Sequence, residues 1–239
     1  MSQASGRTVS ITFDDGLCAG AQAAADIFAP FGIKATFYVV TGWVEPACAP
    51  IRDAPNQGRS HGDWEFWRGL ARAGHEVGSH TFSHFKAGGR KAALTPWRVA
   101  SELSRSAADL RREVPYPGHT ISMPWNEASL LSDFLVRRAY SACRVGGGSV
   151  QYNRLGDLQP YALKSWAPGP RHGWQDYVDA IEAIPDGGWL IFGFHSLGDE
   201  GWEPIAPGFL DKLCAYLAAQ KIKVATVRDV VDQVRSRAA

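Results

Sequence analysis

Short apolar runs of strand character recur along this 239-residue chain, and almost every one is followed by a run with helical spacing. "TVSITF", from Thr8 to Phe13, alternates, and "AGAQAAADIFAPF" behind it carries the apolar spacing of a helix. "ATFYVV", "HEVGS", "HTISM", "YSACRV", "YALKSW", "GGWLIFGFH" and "IKVAT" continue the strand series. Helices are predicted over "GDWEFWRGLARAG", "TPWRVASELSRSAADLRREV", "NEASLLSDFLVRR", "GWQDYVDAIEAI", "APGFLDKLCAYLAAQ" and "VRDVVDQVRSR". In the second of these, Thr95 reads as the N-cap and Pro96 as the first helical residue. A β–α repeat of this kind implies parallel strands, because each helix carries the chain back to the edge it left. Several strands read as apolar almost throughout, as expected when both faces are buried. The pattern predicts one α/β domain over residues 1–239: a distorted (β/α) barrel of seven to eight parallel strands, with residues 1–7 as a flexible tail. A doubly wound open sheet is the other architecture with this alternation. Its usual dinucleotide signature, G-x-G-x-x-G after the first strand, is missing.

Composition narrows the function classes. Apolar residues make up 45% of the chain, enough for a large core, and a net charge of +1 with no basic block gives nucleic acid no electrostatic footprint. No run of eighteen apolar residues predicts a transmembrane helix. The opening "MSQASGRTVS" has no apolar stretch of the kind a signal peptide carries, so a cytoplasmic location is expected. Cys18, Cys48, Cys143 and Cys214 form no C-x-x-C pair and read as free, mostly buried thiols. The nine tryptophans fit either a carbohydrate site or a large core. The oligomeric state is not readable.

In a parallel barrel the catalytic groups gather at the carboxyl ends of the strands. Three of those ends stand out. The first carries Asp14 and Asp15 side by side, the third runs into "GSHTFSH" with His80 and His84 four apart, and the late strand "WLIFGFH" ends in His195. Two histidines and one carboxylate leave coordination positions open for water and substrate, as a catalytic metal site requires. Neighbouring carboxylates cannot both stay ionised without compensation. A divalent cation on one of them removes the conflict and leaves the other to move a proton. His195, arriving from a different strand, is placed to protonate a leaving group.

"TFDDG", "SHTFSH" and the late apolar strand ending in histidine together resemble the polysaccharide deacetylase (NodB-homology) family, carbohydrate esterase family four. The resemblance runs from Thr12 to about residue 231 in the family's motif order. It implies a distorted (β/α) barrel and metal-dependent hydrolysis of an N-acetyl, sometimes O-acetyl, group on a sugar. By position it implies Asp14 as general base, Asp15, His80 and His84 as metal ligands and His195 as general acid. Zinc is the metal first expected, with cobalt, nickel or iron also suited to the donors. "SMPWN", residues 122–126, matches the third motif, so the backbone N–H of Trp125 is implied as an oxyanion donor. The family's base-orienting arginine has no counterpart there, because Ser122 stands in its place. "KSWAPGPRHGW" matches the fourth motif loosely and offers Trp166, Arg171 and His172, with Arg171 a candidate to replace the missing arginine.

The expected partner is therefore an N-acetylated sugar or a sugar-containing small molecule. Two further readings stay open: a deformylase or amidase of a small non-sugar amide, and a carbohydrate-binding homologue without turnover. In "HSLGDEGWEPI", Trp202 with Asp199 and Glu200 can hold a sugar ring and its hydroxyls. Trp166, Arg171 and Trp202 are thus the substrate-binding candidates. The long segment Thr41 to His61, with Trp43, Glu45, Arg52 and Arg59, can cap the pocket. Arg52 and Arg59 either bind a phosphate or are solvated.

Overall fold

A computed structural model of the chain describes residues 6–46, 51, 56–86, 95–114, 116 and 118–238. The remainder, including residues 1–5 of the expected tail, Cys48 and Arg52, lies outside the described residues.

The predicted alternation is the fold. Strands β1 (Thr8–Phe13), β2 (Thr36–Val39), β3 (Glu76–Ser79), β4 (Thr120–Ser122) and β5 (Ala142–Arg144) pair in sequence order, all parallel. β7 (Gly188–Phe194) pairs parallel along the whole of β1, and the short β8 (Lys223–Val224) joins the start of β1. Between them run helices α1 (Cys18–Phe28), α2 (Trp64–Arg72), α3 (Pro96–Glu113), α4 (Leu130–Ala139), α5 (Trp174–Glu182), α6 (Pro207–Ala219) and α7 (Val227–Ala238). "YALKSW" contributes single parallel bridges: Leu163 to Arg144 on β5, and Trp166 to Phe192 on β7. Those bridges join the two ends of the sheet, so it curls on itself. Two stretches depart from the sequence reading, the first being "YALKSW", expected as a strand and present only as these bridges. Asn153–Arg154, expected within a glycine-rich loop, form a two-residue strand β6 antiparallel to β7.

Local chemistry explains several boundaries. Pro96 opens α3 from Thr95, where its missing N–H costs nothing. Asp63 caps α2 by accepting a hydrogen bond from the Phe66 N–H, and Ser129 caps α4 through Ser132. Cys18, Cys143 and Cys214 are free thiols.

The strands alternate more than their apolar appearance suggests. Val9, Ile11, Phe13, Phe37, Val39, Val77, Leu190, Phe192 and Phe194 pack into the main core, which also takes in residues of α1, α2 and α6. The intervening positions of β1 to β3 carry most of the polar groups, whereas Trp189 and Ile191 of β7 join a second apolar cluster with residues of α7. The Thr36 and Thr120 hydroxyls donate to the buried Glu76 carboxylate, and the Thr12 hydroxyl donates to the Phe192 carbonyl. Ser122 and Arg144 continue this polar set at the upper end of the sheet. Buried polar groups cost free energy unless satisfied, so such an interior is organised by its hydrogen bonds as well as by packing.

Two buried histidines make the fold acid-sensitive. His75 Nδ1 accepts a hydrogen bond from the Ala35 N–H at 3.2 Å, which requires an unprotonated nitrogen. Burial pushes the pKa of His75 down to about 4 and that of His119 to about 4. Unfolded histidines titrate near ~6.5, so as pH falls below that value the unfolded chain takes up protons first. Their stabilising contribution is complete above pH ~6.5 and drains away as pH falls toward ~4. His75 alone accounts for a loss of about 2 kcal/mol between pH 7.5 and 5. Urea midpoints across this range should fall accordingly, and His75→Gln should flatten the dependence. A midpoint insensitive to pH over this range would contradict the assignment.

Candidate metal centre and catalytic pocket

The polar set on the strands leads directly to the site. Asp14 follows Ser10 and Thr12 on β1, His80 follows Glu76 and Gly78 on β3, and His195 follows Gly193 on β7. Ser122 ends β4 and Arg144 ends β5. Parallel strands bring these ends together, and a cavity of about 640 Å³ opens there, lined among others by Asp14, Asp15, His80, His84, Trp125 and His195.

Asp15, His80 and His84 meet at the cavity floor. The Asp15 Oδ1 atom lies 3.5 Å from His80 Nε2 and 3.4 Å from His84 Nε2. Asp15 and His84 reach this arrangement through left-handed backbone, at φ 70° and 56°. Non-glycine residues rarely adopt that conformation, and it clusters at functional sites. Gly16, at φ 72°, then carries the chain past Val39, where an added Cβ would come within 3.1 Å. His80 Nδ1 donates to the Ser122 carbonyl at 2.8 Å, which turns Nε2 toward Asp15 as an acceptor. Burial lowers the His80 pKa to about 4, so its ring is neutral at pH 7. Burial also acts to raise the pKa of Asp15. The neighbouring His195, His84 and His80 outweigh this and hold the carboxyl below its ordinary value.

These residues suit a divalent cation. Asp15 Oδ1 is buried with no hydrogen-bond partner, although it faces two imidazole nitrogens. An orphaned buried carboxylate oxygen is costly unless a cation satisfies it. The second oxygen is already held, since Asn56 Nδ2 donates to Oδ2 at 3.1 Å. Behind the ligands, the His61 ring nitrogen Nδ1 lies 3.2 Å from the Asp15 carbonyl and 3.1 Å from that of Gly16. Trp43 packs between the rings of His61 and His84.

Asp14 has a different environment. Its Oδ2 accepts a hydrogen bond from Arg144 Nη2 and lies 3.4 Å from the Ser122 hydroxyl, while Oδ1 is left without a partner. Arg144 is 1% exposed, donates also to the Ser122 and Ser165 hydroxyls, and lies over the Tyr38 ring. The guanidinium absent from position 122 therefore arrives from the next strand, since Ser122 and Arg144 are direct partners in the β4–β5 register. Arg171 does not supply it: that residue stands exposed in a turn and is not among those lining the cavity. Gly193 leaves room for the group, because a Cβ there would come within 2.6 Å of Arg144 Nη1.

The other candidates separate into two groups. His195, Trp125 and Trp202 line the cavity with Asn126 and Glu203. Trp125 sits at φ 54° with its ring 4.3 Å from that of His84, and Asn126 follows it at φ 55°. Trp166 belongs instead to the core, 1% exposed and packed on Tyr177 and Phe192, which corrects its expected place against substrate. Trp43 and His61 are buried behind Asp15 and His84 rather than capping the pocket. Arg59 is engaged by the loop after β7, donating to the Asp199 carbonyl at 3.2 Å and pairing with Glu200 at 3.8 Å.

The polysaccharide deacetylase family matches residues 2–133 of the sequence. No curated protein matches it. Among solved structures, a family 4 acetyl xylan esterase from Clostridium thermocellum, in complex with a cobalt ion, is 19% identical with a TM-score of 0.60, covering 95% of this chain and 91% of its own. A peptidoglycan deacetylase from Bacillus subtilis is 16% identical with a TM-score of 0.58, covering 99% and 95%. A pseudoenzyme of the same family from Bacillus anthracis is 13% identical with a TM-score of 0.58, covering 96% and 66%. At these identities the structural likeness is a likeness of fold.

Proposed function

The chain belongs to the polysaccharide deacetylase family, and on that premise we propose that it is a metal-dependent hydrolase that removes the N-acetyl group from a sugar or sugar-containing molecule. One observation carries the reading: a partnerless Asp15 oxygen facing two imidazole nitrogens, beside a second carboxylate, that of Asp14, held by a buried guanidinium. Asp15, His80 and His84 would hold a divalent cation, zinc first, with cobalt, nickel or iron also suited to the donors. Bound there, it would supply Lewis acidity toward an amide carbonyl and acidify a water.

The remaining steps fall to the chain's own groups. Arg144 and Ser122 fix Asp14 Oδ2, so Oδ1 is the oxygen that takes the proton from the attacking water. The new bond joins the water oxygen to the acyl carbon. The backbone N–H of Trp125 donates to the oxyanion that develops. His195 gives a proton to the departing nitrogen as the C–N bond breaks. Water and amide become acetate and amine, with His195 and Asp14 left to exchange their protons with solvent. Trp202 stands at the cavity wall as a face for a sugar ring.

A structural neighbour described as a pseudoenzyme makes the inert reading concrete. The presence of both Asp14 and His195 at the cavity speaks against it, since a protein that only binds needs neither. The test is elemental analysis of the purified protein, followed by acetate release from N-acetylated sugars by the metal-loaded form. About one divalent ion per chain is expected, and His80→Ala should lose it. If the loaded protein released formate or ammonia from non-sugar amides instead, the substrate class would be wrong. Release of nothing from any amide would leave the binding-only reading.

A further inference from the structure

The adjacent carboxylates that follow β1 are held by different means. Asp14 Oδ2 accepts from the Arg144 guanidinium, which carries a full positive charge. Asp15 Oδ2 accepts from the Asn56 amide, which donates through Nδ2 at 3.1 Å and carries none. A cation beside a carboxylate offsets the charge that would draw another cation to it. A neutral amide fixes the oxygen and leaves that charge in place.

The surroundings of Asn56 show that this contact is not explained by stability. The residue is 2% exposed and lines the cavity. A carboxylate oxygen can only accept, so Nδ2 is the end that faces Asp15. That leaves Asn56 Oδ1 buried with no hydrogen-bond partner. An amide buried with its oxygen unsatisfied gives back most of what its one hydrogen bond contributes to the fold.

The segment that carries Asn56 is tied to the turn that carries Asp15. The Ser60 carbonyl accepts from the Cys18 N–H at 3.1 Å, and the His61 ring lies against the Asp15 and Gly16 carbonyls. Gly62 packs on Cys18, where an added Cβ would come within 3.2 Å. Trp67 Nε1 donates to the His61 carbonyl at 2.9 Å, and the Arg59 N–H donates to the Asn56 carbonyl at 3.3 Å. The amide therefore meets Asp15 from a fixed position and orients the carboxylate before any ion arrives.

We propose that Asn56 is a positioning residue that restricts Asp15 to one donor oxygen toward the divalent ion. Asp15 Oδ1 faces His80 and His84 at 3.5 and 3.4 Å, while Oδ2 is turned to the amide. One oxygen and two imidazoles leave coordination positions open for water and a substrate carbonyl. A carboxylate that gave both oxygens would fill one of those positions. The inference rests on the metal-dependent reading above and adds to it a residue outside the ligand set.

Cobalt(II) reads the donor count directly, because its visible absorption weakens as donors are added, whereas zinc has no such band. The metal-free full chain is titrated with cobalt to saturation, and affinity is measured by competition with a chelator. Wild type should take up about one ion per chain. In Asn56→Ala the second oxygen is released, so the band at saturation should weaken and shift, and affinity should fall ~10- to 100-fold. Asn56→Leu keeps the branched shape without the donor and should give the same spectrum, so a folding defect in one variant does not decide the result. A wild-type spectrum at saturation in both variants would overturn the proposal even if binding were weaker, since a merely structural amide changes affinity but not the donor count. A wild-type chain that takes up no cobalt would overturn it together with the metal reading. The expected spectra with no acetate released from any amide would uphold it and remove only the deacetylase reading.

Discussion

Asp14→Asn is expected to lower turnover about 10³-fold while the metal content stays at the wild-type level. The two halves of this result come from the two environments at the end of β1. Asp15 Oδ1 faces both histidine nitrogens and belongs to the candidate metal triad. Asp14 is turned the other way, toward Arg144 and Ser122. An asparagine at 14 keeps the volume and an acceptor for the guanidinium but cannot receive the water's proton. Turnover therefore falls, substrate affinity changes little, and the ion remains. Asp15→Asn should invert the pattern, with the metal lost first and activity lost as a consequence. Metal content by elemental analysis and initial rates on the same preparation separate the two. Loss of metal from Asp14→Asn would make Asp14 a ligand and undo the division of roles.

The placement of these groups was partly legible in the sequence, for a physical reason. The strand–helix alternation is a local periodic signal, and both carboxylates and both histidines sit within a few residues of a strand end. Parallel pairing then brings those ends together without further information. Residues placed by non-local register were harder to read. Arg144 meets Asp14 only because β4 and β5 pair with Ser122 opposite Arg144. Its one sequence signal is an arginine inside the apolar run "SACRVG", and a charge in a buried strand requires a buried partner. Asn56 comes from an irregular stretch in which no spacing marks it. Trp166 misled because it lies in a stretch with single bridges rather than a full strand. Its side chain packs on Tyr177 and Phe192 and is turned away from the cavity. Arg171 lies close in sequence to the fourth-motif stretch, but its turn is solvent-exposed.

Arg144 is accordingly where the largest combined effect is expected. Arg144→Ala should destabilise the fold by about 3–5 kcal/mol, the range for stripping one partner from a buried ion pair. Three groups lose a donor at once: the Asp14 carboxylate and the hydroxyls of Ser122 and Ser165. The cavity left beside Tyr38 adds to the cost. Activity should fall further than stability explains, because Asp14 is then free to rotate away from the attacking water. Gly193→Ala distinguishes position from presence. It keeps the guanidinium but drives a methyl to within 2.6 Å of Nη1 unless the group shifts. It should therefore reduce turnover with a smaller drop in the urea midpoint. The decisive variant is the exchange Ser122→Arg with Arg144→Ser. The two positions are register partners, so the swap returns a guanidinium toward Asp14 from the neighbouring strand. If orienting Asp14 is the task, the double variant should recover at least ~10-fold of the activity lost by Arg144→Ser alone, a coupling of about 1.4 kcal/mol, as expected of residues in direct contact. Additive losses would mean that Arg144 serves the barrel interior and not the base.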